Sequence, residues 1–385
     1  MQFRWLSNSG QGDYHALRKY VANSAWLTLA FAGVMTVGVC ALCRQILMWM
    51  NTPSDIMDGA YGYIFIIFLG IPVTYLYNLL SGIIRSLGDS KSPLIFLVFS
   101  SILNIALDMT LILVFRMGVA GAAWATVISQ AISGIACLIY MMKRFEILKI
   151  TKEEWRLDGK YAAVLCNMGI PMGLQYSITA IGSVILQTAV NMLGSTAVAS
   201  IAAASKIGLF FCCPFEAMGS TMATYAGQNV GAGKLDRISK GIKSTCIMGL
   251  VYSVAAFVLL TVFGTTIALL FVDASETLIL QNVRWFLMIN SAFFFPLALV
   301  NIVRFTIQGL GFSRLAILAG VCEMAARSIV GLGFVPVFGY IAACFASPIA
   351  WICADLFLIP AYLYVMKKLR EMLEKDPGNS GGIQT

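Results

Sequence analysis

Two pairs of polar side chains stand four residues apart inside runs that are otherwise apolar. Asn104 and Asp108 occupy "SSILNIALDMTLILV", and Glu323 and Arg327 occupy "GVCEMAARSIV". That spacing places each pair on one face of a helix. A carboxylate carried into hydrocarbon costs about 2.5–3.5 kcal/mol on insertion scales, so an intramembrane acid marks a functional site by default. Asp108 therefore reads as a group that binds a proton or a hard cation, since a carboxylate held out of water can load and release a proton. Asn104 offers amide oxygen and nitrogen to the same space. Glu323 and Arg327 are of opposite charge, and the expectation is a structural ion pair between them. Gln187 and Asn191, again one turn apart, either line a cavity or bond between helices. Lys206 and Glu216 share a helix but lie about 15 Å apart along it at 1.5 Å per residue, too far to pair. Each either meets substrate in a central cavity or pairs with another helix, and Arg304 and Asp355 are open in the same way.

Enzymatic constellations do not appear. The single histidine, His15, sits in a polar stretch and is expected to be solvated. There is no HExxH, no GxSxG and no GxxxxGK[ST], so neither a cofactor nor direct ATP use is expected, and any metal would be a sodium ion. All ten cysteines fall in apolar runs without ligand partners at metal spacing, and read as small packing residues.

The elements that must position these groups follow from composition. Hydrophobic residues make up 59% of the chain and charged residues 11%, against about 25% charged in a soluble domain. Runs of about 20 apolar residues recur throughout, each long enough to span a bilayer. The fold class is an all-α polytopic membrane protein. Ten helices are predicted, at 21–50, 56–85, 93–115, 119–142, 161–193, 196–228, 238–264, 278–311, 315–335 and 339–367. The net charge of +8 is spread between the apolar runs, on alternate loops. This is a topology signal and excludes a nucleic-acid surface. Lys143, Arg144, Lys234, Arg237, Lys367 and Lys368 all fall on one side, and the positive-inside rule puts that side, with both termini, in the cytoplasm of a multi-pass protein of the cell membrane.

The expected organisation is a cytoplasmic loop (1–20), a lobe of four helices (21–142), a linker with an amphipathic stretch (143–160), a lobe of six helices (161–368) and a disordered tail (369–385). The lobes repeat one another. "GIPVTYLYNLLSGIIRSLGDSKSP" carries Pro72, Asn78 and Gly88, and "FFPLALVNIVRFTIQGLGFSR" carries Pro296, Asn301 and Gly311. "GVAGAAWATVISQ" from Gly118 parallels "GYIAACFASPIAW" from Gly339. The second copy has two helices ahead of its Gly-Gln segment (Gly227–Lys234) that the first lacks, so a complete repeat of six plus six implies two more helices before the first.

"GIIRSLGDSKSP", "NIALDMTLI", "GVAGAAWATVISQ", "GIPMGLQYSITAIGSVILQTAVNMLG" and "GQNVGAGKLDRI" resemble the multidrug and toxin extrusion (MATE) family over all but the tail. The resemblance implies twelve helices in two six-helix lobes, and export of lipophilic cations against inward flow of protons or sodium ions. In one branch, an Asn and an Asp four apart, a Thr on the next helix and a Tyr on the preceding one surround the ion; these map to Asn104, Asp108, Thr126 and Tyr63. The branch's further acid on its first helix has no match here. Another branch couples through a Glu at the position of Thr179, which points back to Asp108. The expected function is antiport, by a chain working as a monomer with the bilayer and a small molecule as its partners. The alternatives are a flippase for lipid-linked precursors and a remnant that does not transport.

Overall fold

The computed structural model describes residues 14–49, 57–148 and 150–375. Every regular element among them is helical. The α-helices are α1 (Tyr14–Trp49), α2 (Met57–Leu69), α3 (Ile71–Ser86), α4 (Lys91–Met109), α5 (Gly118–Arg144), α6 (Gly159–Asn191), α7 (Ser195–Gly231), α8 (Leu235–Ala268), α9 (Thr277–Ala292), α10 (Phe294–Gly309), α11 (Ser313–Ile329) and α12 (Val335–Lys375). The apolar sequence dictates this choice, because in hydrocarbon each backbone donor and acceptor must find its partner within the segment. Leu29, Val34, Val37, Ile95 and Ile102 are accordingly exposed in the protein itself, as residues that face lipid are. Eight described stretches are long and apolar enough to cross a membrane, nine if the bent pair α9–α10 is one span. One of the eight, Ser313–Met372, is itself broken at Gly339 (φ 63°, ψ −142°), and its two arms pack side by side. Taken as two crossings, it brings the spans to ten.

Several predicted helices differ in detail. The first begins at Tyr14 rather than Val21, and the last runs to Lys375, over the first residues (369–375) of the expected tail; residues 1–13 and 376–385 lie outside the described residues. The predicted helix 56–85 is two, α2 and α3, meeting at Gly70 (φ −75°, ψ −9°) just before Pro72. A proline removes one backbone donor and its ring crowds the carbonyl four residues back, which breaks the rod. Gly70 also admits Val127: a Cβ there would stand 2.6 Å from Val127 Cγ2. The predicted helix 278–311 breaks at the equivalent place, before Pro296, with a bend of 51°.

The repeat extends to backbone angles. Gly88 and Gly311, at the ends of α3 and α10, have φ of 94° and 95°; Gly118 and Gly339, after the next helix, have 57° and 63°. Side chains other than glycine rarely adopt such angles. A five-residue π-helical turn precedes each of the second pair, at Thr110–Val114 and Val330–Phe334.

Contacts divide the chain into two compact units, Met1–Leu165 and Cys166–Thr385. The boundary falls inside α6. In the stretch 143–160, α5 ends at Arg144, a single 3-10 turn follows (Glu146–Leu148), and residues 151–158 fold back on α1. In the first unit Leu17, Val21, Leu80, Ile84 and Cys137 form the core where α1, α3 and α5 meet. In the second, Phe215 of α7 packs edge-on against Tyr252 of α8 and Phe294 of α10.

Candidate functional site

The first unit holds a polar pocket of about 300 Å³ among apolar helices. Three helices build it, each with polar residues one turn apart: Thr74 and Asn78 on α3, Ser101 and Asn104 on α4, Thr126 and Gln130 on α5. A spacing of three or four residues is what aims both members of each pair at the same space. Hydroxyls stitch the walls together. Ser100 donates to the carbonyl of Ser129 (3.1 Å) and Ser133 to that of Phe96 (3.0 Å), closing α4 on α5. Thr74 donates to Gln130 Oε1, joining α3 to α5, and Asn104 Nδ2 stands 3.5 Å from Thr126 Oγ1. Thr126 spends its own proton on the carbonyl of Ala122, so its oxygen keeps a lone pair for the pocket.

Asn104 and Thr126, paired above only by the resemblance, thus stand together across the pocket. Asp108 lies one turn further along α4, half-buried, and its Oδ1 is buried with no hydrogen-bond partner among the described residues. Tyr63 is half-buried on α2. Neither Asp108 nor Tyr63 belongs to the pocket lining. Thr74 and Gln130 do, and sequence reasoning passed over both. The signal was present, since Thr74–Asn78 and Thr126–Gln130 repeat the spacing of Asn104–Asp108.

The second unit concentrates charge instead. Glu323 on α11 is buried and pairs with two arginines: Arg304 of α10 through Oε1 and, at 3.4 Å, Arg327 through Oε2. The expected pair is therefore one side of a triad. Arg327 Nη1 also reaches α6, standing 3.3 Å from the carbonyl of Thr179 and 3.5 Å from Ser183 Oγ. Gln308 of α10 donates to Gln175 of α6 at 2.7 Å. Gln187 and Asn191 bond each other (2.9 Å) on an exposed part of α6. Lys206 and Glu216 are exposed on α7 and form no ion pair among the described residues.

Outside the spans one acid is held with unusual tightness. Glu154, in the segment after α5, is buried and accepts from Arg18 Nε (2.8 Å), from His15 Nδ1 (2.9 Å) and from the Thr151 amide (2.9 Å). Burial alone would raise its carboxyl. The Thr151 amide, Arg18 and His15 outweigh that and hold it down at about 2. His15 thus lies on α1 rather than in a loop, and it stays exposed to solvent, as expected, while it bonds Glu154. Trp26 donates its indole N–H to the carbonyl of Trp155 (2.8 Å), completing the clasp. No cluster of three or more His, Cys, Asp or Glu suited to a metal occurs among the described residues.

The MatE family profile matches residues 7–110 and 171–350. The chain is 30% identical over 302 residues to the probable multidrug resistance protein YpnP of Bacillus subtilis, covering 76% of this chain and 65% of that one. It is 26% identical to the probable multidrug resistance protein YoeA of the same organism, covering 71% and 60%. It thus spans less than two thirds of the length of these relatives. Among solved structures, an outward-facing multidrug resistance MATE transporter of the MOP superfamily superposes with a TM-score of 0.88 at 18% identity, covering 96% of this chain and 83% of that one.

Proposed function

The chain belongs to the MatE family, and on that premise we propose that it carries out secondary export of drug-like or cationic organic compounds, in exchange for protons or sodium ions. The observation that carries this reading is the unpartnered, buried oxygen of Asp108 one turn from Asn104. A lone carboxylate oxygen in such a place is stable when a proton or a cation completes it. Asn104, with Thr126 across from it, offers further neutral oxygens of the kind a hard cation takes. Loading Asp108 removes its charge, which biases the bundle toward one of two openings, and release on the other side restores it. The pocket beside it is lined by amides and hydroxyls, which accommodate an organic cation without binding it tightly.

The names of the relatives support a drug-like cargo, and the apolar spans support residence in the cell membrane with the Lys- and Arg-rich side, and both termini, in the cytoplasm. On this reading the protein is a carrier and not an enzyme, and works as a monomer. The flippase alternative calls for basic residues free to meet an anionic cargo. Arg304 and Arg327 are instead committed to Glu323, which leaves few intrahelical bases such as Lys206 for that role and so favours the exporter.

The test uses purified protein in liposomes loaded with a fluorescent lipophilic cation. A proton gradient and a sodium gradient are imposed separately. One of the two should drive dye movement well above the leak. Dye movement no faster than in empty liposomes under both gradients would refute the export reading.

A further inference from the structure

The buried charges of the second unit do not balance in their hydrogen bonds. Arg304 of α10 gives Nη2 to Glu323, while its Nε is buried with no acceptor among the described residues. Asp355 of α12 is 7% exposed, and its Oδ1 is buried with no donor. The two groups interact electrostatically. A buried donor and a buried acceptor are thus left unspent within one cluster, although such groups are normally paired.

The surroundings decide what completes them. Facing the cluster are Arg304 from α10, Glu323 and Arg327 from α11, Cys246 from α8 and Tyr176 from α6. From α9 the only charged residue is Arg284, which is exposed, and α12 itself adds Cys353 and Tyr362 near Asp355. With Asp355 ionised, two arginines face two carboxylates and the cluster is neutral. With Asp355 protonated, it carries one net positive charge. A metal cation would have to lie among two guanidinium groups. An anion would have to lie against Glu323. A proton meets neither obstacle, since it needs one oxygen and adds no volume.

We propose that Asp355 is a proton-binding site of the second unit, and that Arg304 is its switch partner. In the protonated state Asp355 is neutral and Arg304 stays with Glu323, the arrangement seen here. When the proton leaves, the new carboxylate draws Arg304 Nε toward α12. Glu323 is then shared less with Arg304 and more with Arg327, the residue that holds α11 to Thr179 and Ser183 of α6. Protonation on α12 is thereby transmitted to the contact between α11 and α6. The site belongs to the second unit and Asp108 to the first, and proton binding at Asp355 does not depend on the identity of any cargo.

Infrared titration of the full chain in lipid nanodiscs tests this without transport. Wild type should show the carbonyl stretch of a protonated carboxyl that grows on acidification and fades on alkalinisation. Asp355→Asn should lose one component of that band, and Asp108→Asn should keep that component. Should Asp355→Asn not fold, Asp355→Glu serves instead, and that component should shift in frequency while persisting. No protonated-carboxyl band at any pH at which the protein stays folded, or a band unchanged in Asp355→Asn or Asp355→Glu, would overturn the proposal.

Discussion

The two units share one backbone plan and spend polar groups in opposite ways. With the register set by Gly88/Gly311 for α3, by Gly118/Gly339 for α5 and by the π-helical turns that begin at Thr110 and Val330 for α4, Arg304, Glu323, Arg327 and Asp355 occupy places that Ser81, Leu103, Leu107 and Gly134 hold in the first unit. Asn104 and Asp108 in turn replace Met324 and Ser328. One unit presents neutral amides and hydroxyls around a cavity, with a single acid at its edge. The other locks two arginines and two acids into a packed core. A repeat thus preserves bends, glycines and π-helical turns, because these fix how helices pass one another, while single substitutions on the inward faces assign different work to each copy.

This contrast can be broken most severely at Glu323. Glu323→Gln leaves Arg304 and Arg327 buried with one neutral partner, and removing one member of a buried charge cluster typically costs about 3–5 kcal/mol. Melting of the purified protein should fall sharply, whereas Asn104→Ala in the open pocket should leave it nearly unchanged. Equal melting of the two variants would erase the distinction between a charged core and a solvated site.

A smaller effect distinguishes how tightly the helices approach. A Cβ at Gly309 would press into the backbone of α7, where Ala223 Cα lies 2.9 Å away, but at Gly134 the nearest atom is an ordinary 3.7 Å away. Gly309→Ala should therefore cost about 1–3 kcal/mol by overpacking, and Gly134→Ala little, as read by melting in detergent. A neutral Gly309→Ala would show that α7 and α10 can move apart freely.

The smallest effect concerns the clasp that only the first unit has. The Glu154 carboxyl is held at about 2, below the ordinary 4.5. Its stabilising contribution is therefore full above pH 4.5 and is lost as pH falls from there toward 2. His15 and Arg18 are partly exposed, so Glu154→Gln should cost only about 1 kcal/mol at neutral pH. Hydrogen exchange in residues 150–158 should speed up in this variant at pH 7 and match wild type near pH 2. Faster exchange that persists undiminished at pH 2 would mean that the side chain's shape, and not its charge, holds the segment.

The sequence carried the helical class, the repeat and the face shared by Asn104 and Asp108, since all three depend on spacing along one chain. Pro72 and Pro296 announced that their helices are interrupted, but not that the bends fall at Gly70 and Phe293. There, the run "YGYIFIIFLGIP" stays apolar across the break, and the packing of Val127 against Gly70 makes the bend compact. Nor did the sequence carry the partners of Glu323 and Glu154. Arg327 was visible at four residues' distance, but Arg304 and His15 come from other helices whose rotation no spacing rule fixes. The pocket lies between these cases: each helix announced its own polar pair, and only the assembled fold brought Thr74, Asn104 and Gln130 to one cavity.

The central claim is that Asp108 loads the coupling ion. Its most direct test is gradient-driven dye flux in liposomes containing equal amounts of folded wild type, Asp108→Asn and Asp108→Glu. The account predicts that flux falls to the leak in Asp108→Asn, with melting and membrane insertion retained, and returns at least in part in Asp108→Glu. Flux at the wild-type rate in Asp108→Asn would contradict it.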